Sequence, residues 1–199
     1  MKYLNIIGLL VIFLSINIIA GDEEELLRNV KEKFNSIDDF SANVIQEGKN
    51  SFLNGKIYYK KENKFYLDLK NMTIVSDGIT IWNHNKKENK VVVNDLGSEE
   101  NSIFSFNTLL GEYPSKSNIS SSKEGNFNVL ILSPKEGSGL NFSEARLWIN
   151  SEYLIEKVSV INENNNITFN FSGYKINQDL PDSRFTFTAP KGSSIIDLR

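Results

Sequence analysis

The sequence predicts a mainly β fold: one antiparallel sheet of about ten or eleven strands, curled into an unclosed barrel and covered by short α-helices. Three observations carry that prediction. From Phe40 onward apolar and polar residues alternate through most of the chain. Asp77-Gly78, the strongest short-range hairpin signal, joins two of these alternating runs. Two segments, beginning near Glu23 and Ser98, instead repeat their apolar residues at helical spacing. A sheet of that many strands curls, and the apolar faces of the helices are the natural cover for its interior.

Residues 1–21 precede the fold. Lys2 is followed by an uncharged stretch from Tyr3 to Gly21 and then by Asp22, Glu23, Glu24 and Glu25, the order of a secretory signal peptide. Cleavage is expected after Ala20 or Gly21, although an uncharged stretch of 19 residues is also long enough for an uncleaved anchor. Losing Lys2 takes the formal charge from −3 to −4 and leaves residues 22–199 as one domain, expected to be soluble. Export of a chain with no cysteine fits a bacterial periplasm better than a disulfide-forming extracellular space.

The first helix is marked by Leu26, Leu27, Val30, Phe34 and Ile37, with the acidic cluster in its first turn complementing the helix dipole. Strands then follow. Phe40, Ala42 and Val44 alternate with polar neighbours, Asn54-Gly55 reads as a turn before a strand at 57–60, and Phe65, Leu67 and Leu69 share one face of the next. Residues 72–76 and 79–83 form the hairpin around Asp77-Gly78, and 91–93 are a further short strand. A second helix is predicted from Ser98 to Gly111, with Ile103, Phe106, Leu109 and Leu110 on one side. The Ser-rich stretch 115–125 reads as a loop, and strands resume at 127–132, 142–149, 154–160, 167–171 and 185–188.

Composition removes several function classes. With 22 Lys+Arg against 25 Asp+Glu, the chain lacks the basic excess needed to displace counterions from nucleic acid. Without cysteine and with a single histidine it has no thiolate chemistry and no histidine cluster, so neither a metal nor a cofactor is expected. His84 has the polar neighbours of a solvated loop and no G-x-S-x-G turn to serve, Asp38-Asp39 reads as a cap or a solvated pair, and Gly137-Ser-Gly139 reads as a turn. No catalytic residue is expected. Aromatics are more informative: Tyr59, Phe65, Trp82, Phe142, Trp148, Phe169 and Phe171 fall on alternating strand positions, where they either fill a core or line a ligand cavity.

Four stretches carry a family resemblance: Phe40-Ser-Ala-Asn-Val-Ile-Gln46, the run from Gly55 to Phe65, Ile74-Val-Ser-Asp-Gly-Ile-Thr-Ile-Trp82, and Arg184-Phe-Thr-Phe-Thr-Ala-Pro-Lys-Gly192 followed by Ile195-Ile-Asp197. In this order they resemble the periplasmic outer-membrane lipoprotein carrier family, LolA. The resemblance implies an unclosed barrel with a helical lid and a non-enzymatic monomer that carries acylated lipoproteins. It implies as partners an inner-membrane ABC-type releasing complex and, in many bacteria, an outer-membrane acceptor. The physical need for a carrier is large. A triacylated N-terminus exposes about 45 methylenes, and at about 0.8 kcal/mol each their transfer to water costs on the order of 35 kcal/mol.

Residue by residue, the resemblance places Lys61 where the family has an arginine that hydrogen-bonds to lid backbone and latches the empty cavity; Glu62 stands where proline is common. Read without the family, Lys61 is a solvated charge at a strand end. Phe65 matches a phenylalanine at the cavity mouth that meets the donor complex. Leu67, Leu69, Trp82, Ile103, Phe106, Leu109, Trp148 and Phe169 are expected to line the cavity or its lid. A sensing or interaction module on the same fold, without transport, is the alternative reading.

Overall fold

The computed structural model describes residues 21–48, 51–96, 105, 107–162 and 166–199. A helix, α1 (Asp22–Asn35), leads into six strands: β1 (Asp39–Gly48), β2 (Ser51–Lys60), β3 (Lys64–Leu69), β4 (Met72–Asp77), β5 (Thr80–Asn85) and β6 (Lys90–Asp95). A π-helical turn (Thr108–Glu112) and a single helical turn, α2 (Tyr113–Ser115), follow. The remaining strands are β7 (Ser117–Glu124), β8 (Phe127–Pro134), β9 (Glu144–Ile149), β10 (Ile155–Ile161), β11 (Asn166–Ile176) and β12 (Ser194–Asp197). All twelve belong to one sheet in the order β12-β6-β5-β4-β3-β2-β1-β11-β10-β9-β8-β7. Two antiparallel meanders, β1–β6 and β7–β11, are therefore fused through the β1–β11 pair, where Val44 lies opposite Phe171. The terminal strand β12 adds in parallel to β6, and β7 and β12 stay as unjoined edges, so the barrel is open.

Side-chain alternation divides the sheet into two faces. The inner face carries the core: Ala42, Ile57, Leu67 and Ile74 are successive cross-strand partners in the first meander, as are Phe169, Val158, Leu147 and Leu130 in the second. All eight are buried. Helix α1 presents Leu26, Leu27, Val30 and Phe34 to this core and packs over β7 and β8, its four first-turn acids facing the dipole's positive end. It stops at Ser36, whose hydroxyl donates to the Lys33 carbonyl (2.6 Å).

Three expectations are corrected. Asn54-Gly55 is no turn but lies inside β2; an added Cβ at Gly55 would sit 2.0 Å from the Asp68 carbonyl oxygen, so the glycine serves the close approach of β3. The Ser-rich stretch is strand β7, an edge strand paired along its length with β8 and turning at Gly125 (φ 59°). Its apolar pattern is weak because only Ile119 need face inward beside Leu132. The predicted strand at 185–188 is absent. Asp182–Phe185 is a 3₁₀ turn within a strap that crosses the outer face before β12 pairs with β6.

That strap follows one row of outer-face residues. Ser41, Tyr58, Tyr66, Val75, Trp82 and Val93 are successive partners across β1 to β6. Gln178 bonds to the Ser41 hydroxyl (2.8 Å), the Arg184 guanidinium lies 4.2 Å from the Tyr58 ring centre, and Phe187 stacks on Trp82 at 6.1 Å. The first meander is thus covered on both faces.

Candidate functional site: the covered inner face

Phe40, near the start of β1, is where the covering helix meets the inner face. Its ring meets Phe34 of α1 edge-on at 6.2 Å, stacks on Tyr59 at 5.2 Å and lies 5.3 Å from Tyr174 of β11. Helix, first meander and second meander therefore converge on one aromatic side chain. Leu109 and Leu110 of the π-helical turn are buried in the same cluster, and Tyr113 packs on Phe142 at 5.0 Å. These segments cover the inner face without any of the long-range strand pairing that fixes the sheet, so they are the elements best able to shift.

Two open clefts flank the packed centre. One, about 330 Å³, lies between the end of α1 and the π-helical turn, beside Phe34, Tyr59 and Leu110. The second, about 520 Å³, lies at the other end of the first meander, over Leu53, Met72 and Val92. Both fall within the range of small-ligand pockets. Between them the floor is continuous and apolar: Tyr59, Ile57 and Leu53 share the inner face of β2.

Leu67, Leu69, Leu109 and Phe169 are brought together in this core, each buried. Ile103 and Phe106 lie outside the described residues. Trp82 and Trp148 do not join them. Trp82 pairs with Val75 and Val93 on the outer face, and Trp148 pairs with Val129 and Lys157 there. The Trp148 indole N–H donates to Glu124 (2.7 Å) and its ring is capped by the Lys157 ammonium at 4.0 Å, so an aromatic expected in the cavity is instead an outer-face anchor. Their neighbours Ile81 and Leu147, both 0% exposed, occupy the inner face in their place.

Phe65, expected at the mouth, is 0% exposed on the inner face beside Tyr59. Among the described residues, the partner of Lys61 is Asp38. The Lys61 ammonium pairs with the Asp38 carboxylate (2.6 Å) and the Lys61 amide with the Asp38 carbonyl (2.9 Å), tying the β2–β3 turn to the α1–β1 corner. The bond from the same turn to the covering segment comes from Asn63, in the left-handed region at φ 59°, which accepts from the buried Ser105 hydroxyl at 3.4 Å. That pair was not foreseen; the only signal for it is an Asn two residues before Phe65.

His84 is not a solvated loop residue but a buried member of β5, 6.1 Å from the Phe187 ring. Its Nε2 has no hydrogen-bond partner among the described residues. Asp39 is likewise buried, and its two carboxylate oxygens accept from Gln178 N (2.8 Å) and Leu180 N (3.0 Å). Beside it Lys60 donates to the Leu180 carbonyl (2.9 Å) and pairs with Asp182 (2.8 Å). The hydrogen bond from Lys60 holds the Asp182 carboxyl below the usual carboxylate range and raises the Lys60 ammonium in return. Burial pushes the Tyr59 phenol up, as expected for a hydroxyl under the helical cover.

An open antiparallel barrel whose apolar interior lies beneath short helical segments is the class these features define. The chain belongs to the LolA family: the family model described as outer membrane lipoprotein carrier protein LolA matches residues 35–188. An outer-membrane lipoprotein carrier protein of Pseudomonas putida is 27% identical over 195 residues, covering 92% of each chain. An uncharacterized protein of Methanocaldococcus jannaschii is 26% identical over 184 residues; these cover 87% of this chain but 53% of that relative, so the chain spans about half its length. Among solved structures, an uncharacterized conserved protein from Thermus thermophilus shares the fold with a TM-score of 0.57 at 13% identity, over 87% of this chain and 98% of that one. No helix among the described residues is long and apolar enough to cross a membrane.

Proposed function

We propose that this protein is a non-enzymatic carrier that takes up the acyl chains of lipoproteins on the inner face of its sheet, under α1 and the segment around Leu109. The observation that carries the reading is the family match over residues 35–188, laid on an inner face whose central cross-strand partners, from Ala42 to Ile74 and from Phe169 to Leu130, are apolar and buried. Leu67, Leu69, Leu109 and Phe169 are the proposed lining, and Phe65 becomes a contact for the donor complex when the cover is displaced. In the present arrangement the protein's own side chains fill the centre of the face. Loading therefore exchanges self-packing for lipid packing, and two states of similar free energy allow the cargo to be released as well as held.

The same reading places residues 1–21 as a cleaved signal peptide and residues 22–199 as one domain working in the periplasm. It takes cargo from an inner-membrane ABC-type complex and passes it to an outer-membrane acceptor where one exists. The test is mass spectrometry of the protein purified from its native envelope. Co-purifying acylated lipoprotein is expected; lipid-free protein together with normal lipoprotein sorting after depletion rejects the reading.

A further inference from the structure

The cleft at the far end of the first meander differs from the rest of the inner face. Gln46 of β1 and Asn83 of β5 both project from that face into it, above Leu53, Met72 and Val92. The cross-strand neighbours of Gln46 are Leu53 and Phe169, and those of Asn83 are Ile74 and Val92. Apolar side chains thus flank both carboxamides across the strands, while Asn71, Asn85 and Lys90 line the rest of the cleft. Gln46 Oε1 is buried with no hydrogen bond among the described residues, and Asn83 stands half-exposed in the same cleft. Asn85, also in the cleft, is committed elsewhere, since its Oδ1 accepts from the amides of Lys87 and Glu88 and shapes the β5–β6 turn. A buried carboxamide oxygen without a partner is costly, and a ligand donor that reaches Gln46 would remove that cost.

We propose that this cleft binds the peptide head of an acylated peptide, with Gln46 and Asn83 pairing to its backbone amides while its chains run along the inner face toward Leu67. This rests on the carrier reading above and adds a direction to it: head at the β5–β6 turn, tails toward the covered centre. A carboxamide both donates and accepts, which matches a peptide group better than a carboxylate or a phosphate does. The charged side chains that border the cleft, Lys87, Lys90 and Glu88, leave one net positive charge, too little for a dedicated anion site.

The probes are a dipalmitoylated cysteinyl-seryl tetrapeptide and palmitate, titrated into wild type and into the Gln46→Leu/Asn83→Leu double variant. The ratio of lipopeptide to palmitate affinity is expected to fall roughly tenfold in the variant, the loss of two hydrogen bonds. An unchanged ratio overturns the head site while leaving a lipid carrier in place. Wild type that binds neither probe overturns the carrier reading itself. A second measurement needs no variant: a photo-crosslinker on the peptide part should label residues 83–92 of wild type, and labelling confined to the cleft beside Phe34 and Tyr59 overturns the proposal.

Discussion

The carboxylate of Asp39 accepts a hydrogen bond from the amide of Leu180, 3.0 Å away and 141 positions later in the chain. With the second bond from Gln178 it fixes the point where the strap leaves β11 and turns onto the outer face. Hydrogen bonds to a charged acceptor are each worth about 1.5–3 kcal/mol, and removing the acceptor strands two amides. Asp39→Ala is expected to lower unfolding free energy by about 3 kcal/mol. Hydrogen exchange should show residues 178–198 losing protection ahead of β1–β5. Equal loss across all strands would mean that Asp39 supports the sheet rather than the strap.

At the other end of the strap the anchor is Phe187, stacked on Trp82 and close to the buried ring of His84. Phe187→Ala uncovers both. Because Phe187 is itself half-buried, the expected cost is about 1–2 kcal/mol rather than the 3–5 of a core phenylalanine. In a Trp148→Phe background, where Trp82 is the remaining tryptophan, emission should shift to the red and become more accessible to acrylamide quenching. Unchanged emission would place the strap's hold on β5 elsewhere.

These two contacts also explain what the sequence did and did not disclose. Strand β3 was legible because Phe65, Leu67 and Leu69 alternate with half-exposed Tyr66 and Asp68, and the Asp77-Gly78 hairpin because glycine at φ 99° is what that turn requires. Trp82 and Trp148 were assigned to the wrong face because hydrophobicity reports burial and not direction. With the strap over β5, Ile81 inside and Trp82 outside are both apolar, so alternation cannot choose between them. The strap itself was hidden by its reliance on backbone amides meeting Asp39, which leave no side-chain pattern. The Lys61–Asp38 pair is hidden for a related reason: the two residues stand 23 positions apart in different elements, and no local spacing joins them.

Gly55 lies hard against the backbone of β3. Gly55→Ala would press a methyl group against the Asp68 backbone, which cannot rotate away as a side chain could. Relief requires β2 and β3 to separate next to Leu69, so a loss of about 3 kcal/mol or more is expected from chemical denaturation. A loss below about 1 kcal/mol would show that the pair relaxes freely at this point.

The Lys60–Asp182 pair makes the strap sensitive to acid in a defined sense. The carboxyl of Asp182 is depressed, so its contribution is present above its ordinary value of 3.8 and lost as pH falls through the lower folded value. Lys60 is raised, so its share persists below its ordinary 10.5 and disappears only as pH rises through the higher folded value. The stability difference between wild type and Asp182→Asn should therefore be flat through neutral pH and shrink below about pH 4. Both groups are exposed enough that the plateau should be small and reduced by salt. A difference that instead grows in acid would assign the strap's anchoring to another group.

Ser105 and Asn63 join the covering segment to the β2–β3 turn through one long hydrogen bond at 3.4 Å, and on the proposed carrier reading that bond opposes opening. A bond of that length holds weakly. Ser105→Ala leaves the carboxamide of Asn63 free to meet solvent and removes about 0.5–1 kcal/mol from the closed state alone. A two-state cover then opens about two- to fivefold more often, and a fatty-acid probe whose entry waits on opening should bind faster by the same factor. Asn63→Gly, which keeps the left-handed backbone, removes the same bond from the other side and should act in the same direction but less, because Ser105→Ala also takes the acceptor from the Thr108 amide (3.3 Å); the double variant should add little to Ser105→Ala. If the probe's entry rate is insensitive to both changes, the cover is held by Leu109 and Leu110 in the core, and loading is then limited by withdrawing those side chains from the inner face.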